Sequence, residues 1–227
     1  MNLSKIFVTD FMTMNFNHPY NNQGSIERLY RDYLKYDTLY IAFDFDNTLY
    51  HGESAVDFAL YMIRNNRKII LWLPVIFFNL IKYKLCLITG EKMETTVNSF
   101  MRSCLKDKSG LMDDVERFWR RNIRRLDRKM LSRIKKDDII ITAGPSFLFE
   151  PIKELLVTSR MICTEVDLDR KKVKYLNFSG NKVKRFRKLY GNRKVSCFFT
   201  DSYNDKAMMD ISDKVYLVDK GRLKRIK

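Results

Sequence analysis

Histidine is nearly absent from this chain: His18 and His51 are the only two in 227 residues. Neither has the spacing of a zinc site or a nucleophile beside it, so zinc and histidine general-base chemistry fit poorly. His18 reads as a surface-loop residue. Cysteine is sparse as well. Cys86, Cys104, Cys163 and Cys197 lie far apart with no Cys-x-x-Cys pair. Free thiols in a reducing compartment are expected, not disulfides or a thiol nucleophile. The start has no long apolar stretch of the kind a secretory leader carries, and no cleaved signal is expected. Acidic residues are outnumbered, 27 against 43 lysines and arginines, for a net charge of +16. That excess favours an anionic partner: nucleic acid, acidic lipid or a phosphorylated substrate. Yet no helix-turn-helix, zinc finger or aromatic ribonucleoprotein pattern accompanies the basic runs, so specific nucleic-acid binding is not expected. Those runs, from Arg117 to Lys129, Lys182 to Lys188 and Lys220 to Lys227, read as solvated helix faces and a basic end.

Against this background the scarce acids stand out where they pair. Leu39 to Phe43 is an apolar strand-like run that ends in Asp44-Phe45-Asp46-Asn47-Thr48. Two carboxylates at the end of a buried strand are costly unless a metal ion or a reaction uses them. The same composition also makes a turn. Downstream, the run 138–141 delivers Thr142, Gly180-Asn181-Lys182 opens a helical pattern, and the run 195–199 delivers Thr200-Asp201-Ser202-Tyr203-Asn204-Asp205. Parallel open sheets bind ligands outside the carboxyl ends of their strands, so these groups are expected to converge on one crevice.

The order of patterns predicts an α/β chain with a mostly parallel sheet. Residues 1–37 read as a peripheral segment, with a helix from Ser25 presenting Ile26, Leu29, Tyr30 and Tyr33. Residues 38–53 form the first part of the core, 54–136 a helical insert acting as a cap, and 137–227 the rest of the core. Strands are predicted at 38–43, 138–142, 160–165, 173–176, 195–199 and 215–218. The helix 182–190 is expected to bury Val183, Phe186 and Leu189.

Over residues 38–227 the chain resembles haloacid dehalogenase-superfamily phosphatases with an all-helical cap, the group that includes phosphoserine phosphatases. Asp44-Phe45-Asp46-Asn47-Thr48, Thr142, Lys182 and Asp201 to Asp205 carry the likeness, in order. The resemblance implies a Rossmann-like core and Mg²⁺-dependent phosphate ester hydrolysis. Asp44 would be the nucleophile that becomes phosphorylated and Asp46 the general acid/base. Mg²⁺ would be held by Asp44, the Asp46 backbone carbonyl and Asp201, with Asp205 orienting the metal shell. Thr142 and Lys182 would hold the phosphoryl oxygens. Thr48 would serve the nucleophile loop or the substrate. Two departures from the family pattern appear: Thr200 where a glycine is frequent, and Gly144 where many relatives have serine. Neither removes a required charge. The acid pair with metal ligands fits a phosphatase better than a dehalogenase.

Glu53 falls nine residues after Asp44, where phosphoserine phosphatases carry a substrate-sensing glutamate. It is read either as a partner for a substrate amino group or as a cap of the first insert helix, the second being preferred. The insert also holds Ile69 to Ile81, an apolar run interrupted by Pro74 and flanked by Arg64, Arg67, Lys68, Lys82 and Lys84. It is short for a membrane span, which needs about 20 residues. Cap packing, self-association and interfacial membrane contact are the competing readings, and a homo-oligomer stays open. The insert resembles, in patches, bacterial phosphatidylglycerophosphate phosphatases of the C type, through Phe58 to Met62, this run and Phe118 to Asn122. That implies a phospholipid headgroup phosphate as substrate. Phosphoserine or another small phosphate ester is the alternative, and a non-enzymatic basic binding module is a third reading that explains the charge but not the ordered acids. The expectation is a cytoplasmic enzyme whose Trp72, Phe77 and Phe78 touch the inner face of the membrane.

Overall fold

Among the described residues, seven strands form one sheet in the order β4-β3-β2-β1-β5-β6-β7. A computed structural model describes residues 40–64, 68–85, 87–104 and 107–227, all within the unit Leu39–Lys227. The predicted helix after Ser25, His18 and the first residues of the expected 38–43 strand lie outside the described residues. Strand β1 (Tyr40–Phe43) is central and pairs in parallel with β2 (Ile139–Pro145) and β5 (Val195–Thr200). Beyond β2, β3 (Met161–Asp167) is parallel and β4 (Lys172–Tyr175) turns back antiparallel. Beyond β5, β6 (Ser212–Asp219) is parallel and β7 (Arg222–Arg225) is antiparallel. The chain leaves β1 to one side and later returns to β5 on the other, so the order reverses beside β1. That reversal opens a crevice at the strands' carboxyl ends.

Alternation along the strands supplies two cores. Ala42, Ile139, Ile141 and Phe198 face one side, against Phe186 and Met208. Phe43 and Ile140 face the other, against Phe58, Phe118 and Trp119 of the insert. The insert comprises α1 (Ser54–Ile63), α2 (Lys68–Lys84), α3 (Gly90–Cys104), α4 (Lys108–Asn122) and the short α5 (Arg128–Leu131). In α4, Leu111, Val115, Phe118 and Trp119 are buried at helical spacing, giving the face that meets the core. Trp119 Nε1 donates to Leu148 O at 2.6 Å, so its polar edge is also satisfied.

Several expectations need correction. Pro74 does not interrupt the apolar run: α2 continues through it over 17 residues. Proline removes one ladder donor, and neighbouring turns carry the helix past it. Within α2, Ile69, Trp72, Ile76 and Asn79 form the less exposed stripe, at spacings of three and four. Trp72 packs edge-on to Phe100 of α3 at 6.2 Å, so it does not share the outward face of Phe77 and Phe78. After β2, α6 (Ser146–Phe149) gives way to a 3-10 turn, Glu150–Leu156, at Pro151. Helix α7 (Gly180–Tyr190) starts before Lys182. It leaves Leu189 52% exposed, because its buried stripe follows Lys182, Phe186 and Tyr190. A short helix, α8 (Lys206–Asp210), buries Met208 and Met209. Strand β7 was not anticipated. Its sequence, Arg-Leu-Lys-Arg, has too few apolar positions to signal a strand, and it forms as an edge after the Lys220-Gly221 turn.

Candidate active site

The strand ends bring the acids together. Asp44 leaves β1 with its backbone N–H on Phe199 O at 2.8 Å, which ties the first acid to β5. Asp201 follows β5 directly, and Asp205 closes the 3-10 turn Tyr203–Asp205. Lys182 enters from the first turn of α7. Its ammonium lies 2.9 Å from Asp44 Oδ1 and 2.7 Å from Asp205 Oδ1, and all three side chains are buried. Burial alone would lower the Lys182 pKa, but the charges of Asp44 and then Asp205 raise it, so the ammonium stays charged. Burial raises Asp44 well above the ordinary carboxylate range, Lys182 pulls it down, and the charges of Asp205 and Asp46 push it up again.

Asp46 turns towards the insert. Its Oδ1 accepts the Ser54 backbone N–H at 2.6 Å and its Oδ2 faces Thr142 Oγ1 at 3.4 Å. A carboxylate on an unpaired N–H at the start of α1 is the interaction that helix termini favour. Glu53, the residue preferred for that capping role, makes no capping bond although it occupies the N-cap position. It accepts from Asn47 Nδ2 at 2.9 Å. Asp46 thus caps the helix and Glu53 is left facing the cavity. Asn47 has a left-handed backbone, φ 54°, which asparagine tolerates, and it also hydrogen-bonds Asp201.

A cavity of about 590 Å³ opens over these groups, lined by Asp44, Asp46, Glu53, Lys182, Asp201 and Asp205 among others. Those are six of the eight candidate residues. Thr48 and Thr142 are buried and do not line it, at 1% and 0% exposure. Thr142 Oγ1 accepts from Gly144 N at 3.0 Å, while Thr48 Oγ1 has no hydrogen-bond partner among the described residues.

Both departures from the family pattern have a local use. Thr200 Oγ1 donates to Asp205 Oδ2 at 3.2 Å, steadying a carboxylate that also holds Lys182. A side chain at Gly144 would place its Cβ 2.6 Å from the Phe149 ring, so the ring occupies the space that a serine would need. Sequence reasoning missed Asn177. It is fully buried, and its Nδ2 donates to Thr142 O at 2.8 Å and Ile162 O at 3.1 Å, tying β2 to β3. The available signal was a lone amide between Leu176 and Phe178. Among the described residues, Cys104, Cys163 and Cys197 do not line the cavity. Burial pushes Cys163 up to about 11, which keeps it protonated and unreactive.

The cavity wall carries five carboxylates, Asp44, Asp46, Glu53, Asp201 and Asp205, against the ammonium groups of Lys182 and Lys184. Burial raises Asp44, Asp46, Glu53 and Asp201, and the charges of neighbouring acids add to the rise at Asp44, Glu53 and Asp201. An all-oxygen, electron-rich site suits a hard divalent cation. Among the described residues no three carboxylate, thiol or imidazole side chains converge as a ready cage. Magnesium needs none, since it keeps several waters and takes one or two carboxylates.

A family model described as haloacid dehalogenase-like hydrolase matches residues 41–210. Among solved structures, a protein of unknown function from Bordetella pertussis Tohama I shares the fold at a TM-score of 0.60 and 20% identity. The match covers 76% of this chain and 86% of that one. A phosphoserine phosphohydrolase-like protein from Francisella tularensis subsp. tularensis SCHU S4 matches at a TM-score of 0.49 and 16% identity, over 78% and 85% of the two chains. No curated protein matches the sequence.

Proposed function

The chain belongs to the haloacid dehalogenase-like hydrolase family, and from that premise we propose that it is a Mg²⁺-dependent phosphomonoesterase working through a phosphorylated Asp44. The observation that carries this reading is the division of labour between two acids two residues apart. Asp44 lies against Lys182, and Asp46 is turned away onto Ser54 N. One acid sits beside a cation that offsets part of the rise that burial causes, and the other is turned away from that cation and can exchange a proton.

In the first step an Asp44 oxygen attacks phosphorus, and the bond from phosphorus to the ester oxygen breaks. Asp46 gives its proton to the departing alcohol. Burial raises the Asp46 carboxyl, which suits a group that must carry a proton for part of the cycle. In the second step water attacks the phosphorus of the Asp44 acyl phosphate, Asp46 takes the water proton, and phosphate leaves. Lys182 keeps Asp44 in place and offsets charge on the phosphoryl oxygens. Asp44, Asp201 and the Asp46 carbonyl would hold Mg²⁺, which when bound offsets the repulsion between carboxylate and phosphate. Thr142 fixes the rotamer of Asp46, and Asn177 fixes Thr142.

Hydrolysis of p-nitrophenyl phosphate, dependent on Mg²⁺ and abolished by EDTA, tests the reading. Asp46→Asn is expected to lower kcat about 10²- to 10⁴-fold, the usual range for a general acid/base. It should leave the fold intact, because the amide oxygen still accepts from Ser54 N. Turnover close to that of the unsubstituted protein would remove Asp46 from the mechanism.

For substrate, the reading is a phospholipid headgroup phosphate met at a membrane surface. Leu71, Phe77 and Phe78 on α2 are 76%, 61% and 60% exposed, and Lys82 on the same helix is exposed too. Monomeric proteins rarely leave such apolar clusters uncovered, and apolar side chains beside cations suit an anionic bilayer surface. No helix among the described residues is long and apolar enough to cross a membrane. Cosedimentation with phosphatidylglycerol vesicles should fall at least several-fold in Phe77→Ser/Phe78→Ser at low salt, while p-nitrophenyl phosphate turnover is kept. Equal binding by both proteins would count against the surface. The second reading, phosphoserine, is favoured by Glu53 on the cavity wall, a carboxylate available to a substrate ammonium.

A further inference from the structure

A second cavity, about 210 Å³, lies between the insert and the sheet. Its walls come from α1, α2, α3 and α6 and from β2, β3 and β4, with Ala59, Ile69, Val97 and Val173 among them. Ala143 lines both this cavity and the acid-lined one. It follows Thr142, whose hydroxyl faces Asp46. The apolar space therefore begins one residue from the hydroxyl that touches Asp46, the acid that protonates the leaving alcohol.

The lining is apolar although the space adjoins a polar site. Thr164 is the only polar side chain among the described residues that line it. Its hydroxyl is already committed, donating to Ala143 O at 2.7 Å and accepting from Asn177 N at 3.1 Å. What Thr164 has left to offer is its methyl group. Water needs two to four polar partners to settle in such a space, whereas apolar ligands fill apolar cavities of this size readily. Leaving it empty forfeits the contacts that close packing would supply.

We propose that this cavity is a subsite for the hydrocarbon portion of the alcohol esterified to phosphate, so that the enzyme selects phosphate esters with an aliphatic tail. The proposal rests on the phosphomonoesterase reading. With phosphorus at Asp44 and the ester oxygen at Asp46, the carbon chain passes Ala143 into the apolar space. A polar alcohol such as serine gains nothing there and leaves the space unfilled.

The test is equilibrium binding of n-alkylphosphonates, from methyl to octyl, to the full chain with Mg²⁺, read by calorimetry. Phosphonates bind without being cleaved, so the measurement does not depend on turnover. Kd is expected to fall on the order of fourfold per added methylene until the cavity is full, then level off. Ala59→Leu and Val97→Phe, which occupy the space from α1 and α3, should each flatten that dependence while keeping the methylphosphonate Kd. Two variants on different helices guard against a fold defect in one, checked by thermal melting. Octylphosphonate binding no more tightly than methylphosphonate in the unsubstituted protein overturns the proposal. A separate p-nitrophenyl phosphate assay addresses the parent reading: chain-length dependence without any turnover would sink the phosphatase and keep the subsite.

Discussion

Asp44→Asn is expected to lower kcat for p-nitrophenyl phosphate on the order of 10⁴- to 10⁶-fold, the scale seen when a covalent nucleophile is removed. The amide is a poor nucleophile and forms no stable phosphoryl adduct. The substitution should cost little stability, because its oxygen still accepts from Lys182 Nζ, 2.9 Å away in the native site. Lys182 keeps its charge partner in Asp205 at 2.7 Å. The burial that raises Asp44 is an unfavourable term for a charged carboxylate, and a neutral amide escapes it. An inactive variant with an unchanged melting curve would separate chemistry from folding. Retention of more than a few per cent of turnover would rule Asp44 out as the nucleophile.

Lys182→Met should be damaging in both respects. Loss of one donor to the developing charge costs about 10²- to 10³-fold in kcat. Breaking a buried ion pair by removing one partner costs about 3–5 kcal/mol, and here two carboxylates lose the same cation. The stability loss should depend on pH in EDTA. Asp44 is already raised with Lys182 present, and removing the ammonium raises it further. A carboxyl whose pKa is higher folded than unfolded binds more protons in the native state, so its stability contribution falls as pH rises. The variant is therefore expected to melt closest to the unsubstituted protein near pH 5 and furthest from it near pH 8. A deficit that does not change with pH would mean that the carboxylates are compensated by something other than Lys182. Lys182→Arg keeps the charge but not the compact ammonium geometry, and should recover stability more than activity.

The parts of this molecule that were legible in the sequence are those set by local pattern. Apolar runs of four to six residues gave up β1, β2 and β5, and acids or hydroxyls at their ends marked the crevice. The order of those motifs also carried the family. What stayed hidden depended on contacts between distant segments. Asp46, not Glu53, caps α1, because the loop returns over residues 47–52 and brings its carboxylate to Ser54 N. Asn177 looks like an ordinary loop amide until β2 and β3 are side by side and their carbonyls point at it. Trp72 and Phe77 lie in one apolar run, and only the helical turn between them sends one onto Phe100 and the other outward. The apolar cavity is assembled from short segments of seven elements, so no stretch of sequence announces it.

The most direct test of the central claim is to trap the intermediate. The protein is mixed with Mg²⁺ and p-nitrophenyl phosphate, quenched in acid within one turnover and reduced with borohydride, and its peptides are analysed by mass spectrometry. Hydride reduction of an acyl phosphate releases phosphate and converts the aspartyl side chain to that of homoserine. The account predicts homoserine at position 44, dependent on substrate and absent from Asp44→Asn. Sustained turnover with Asp44 unmodified, or the label on another aspartate, would contradict it.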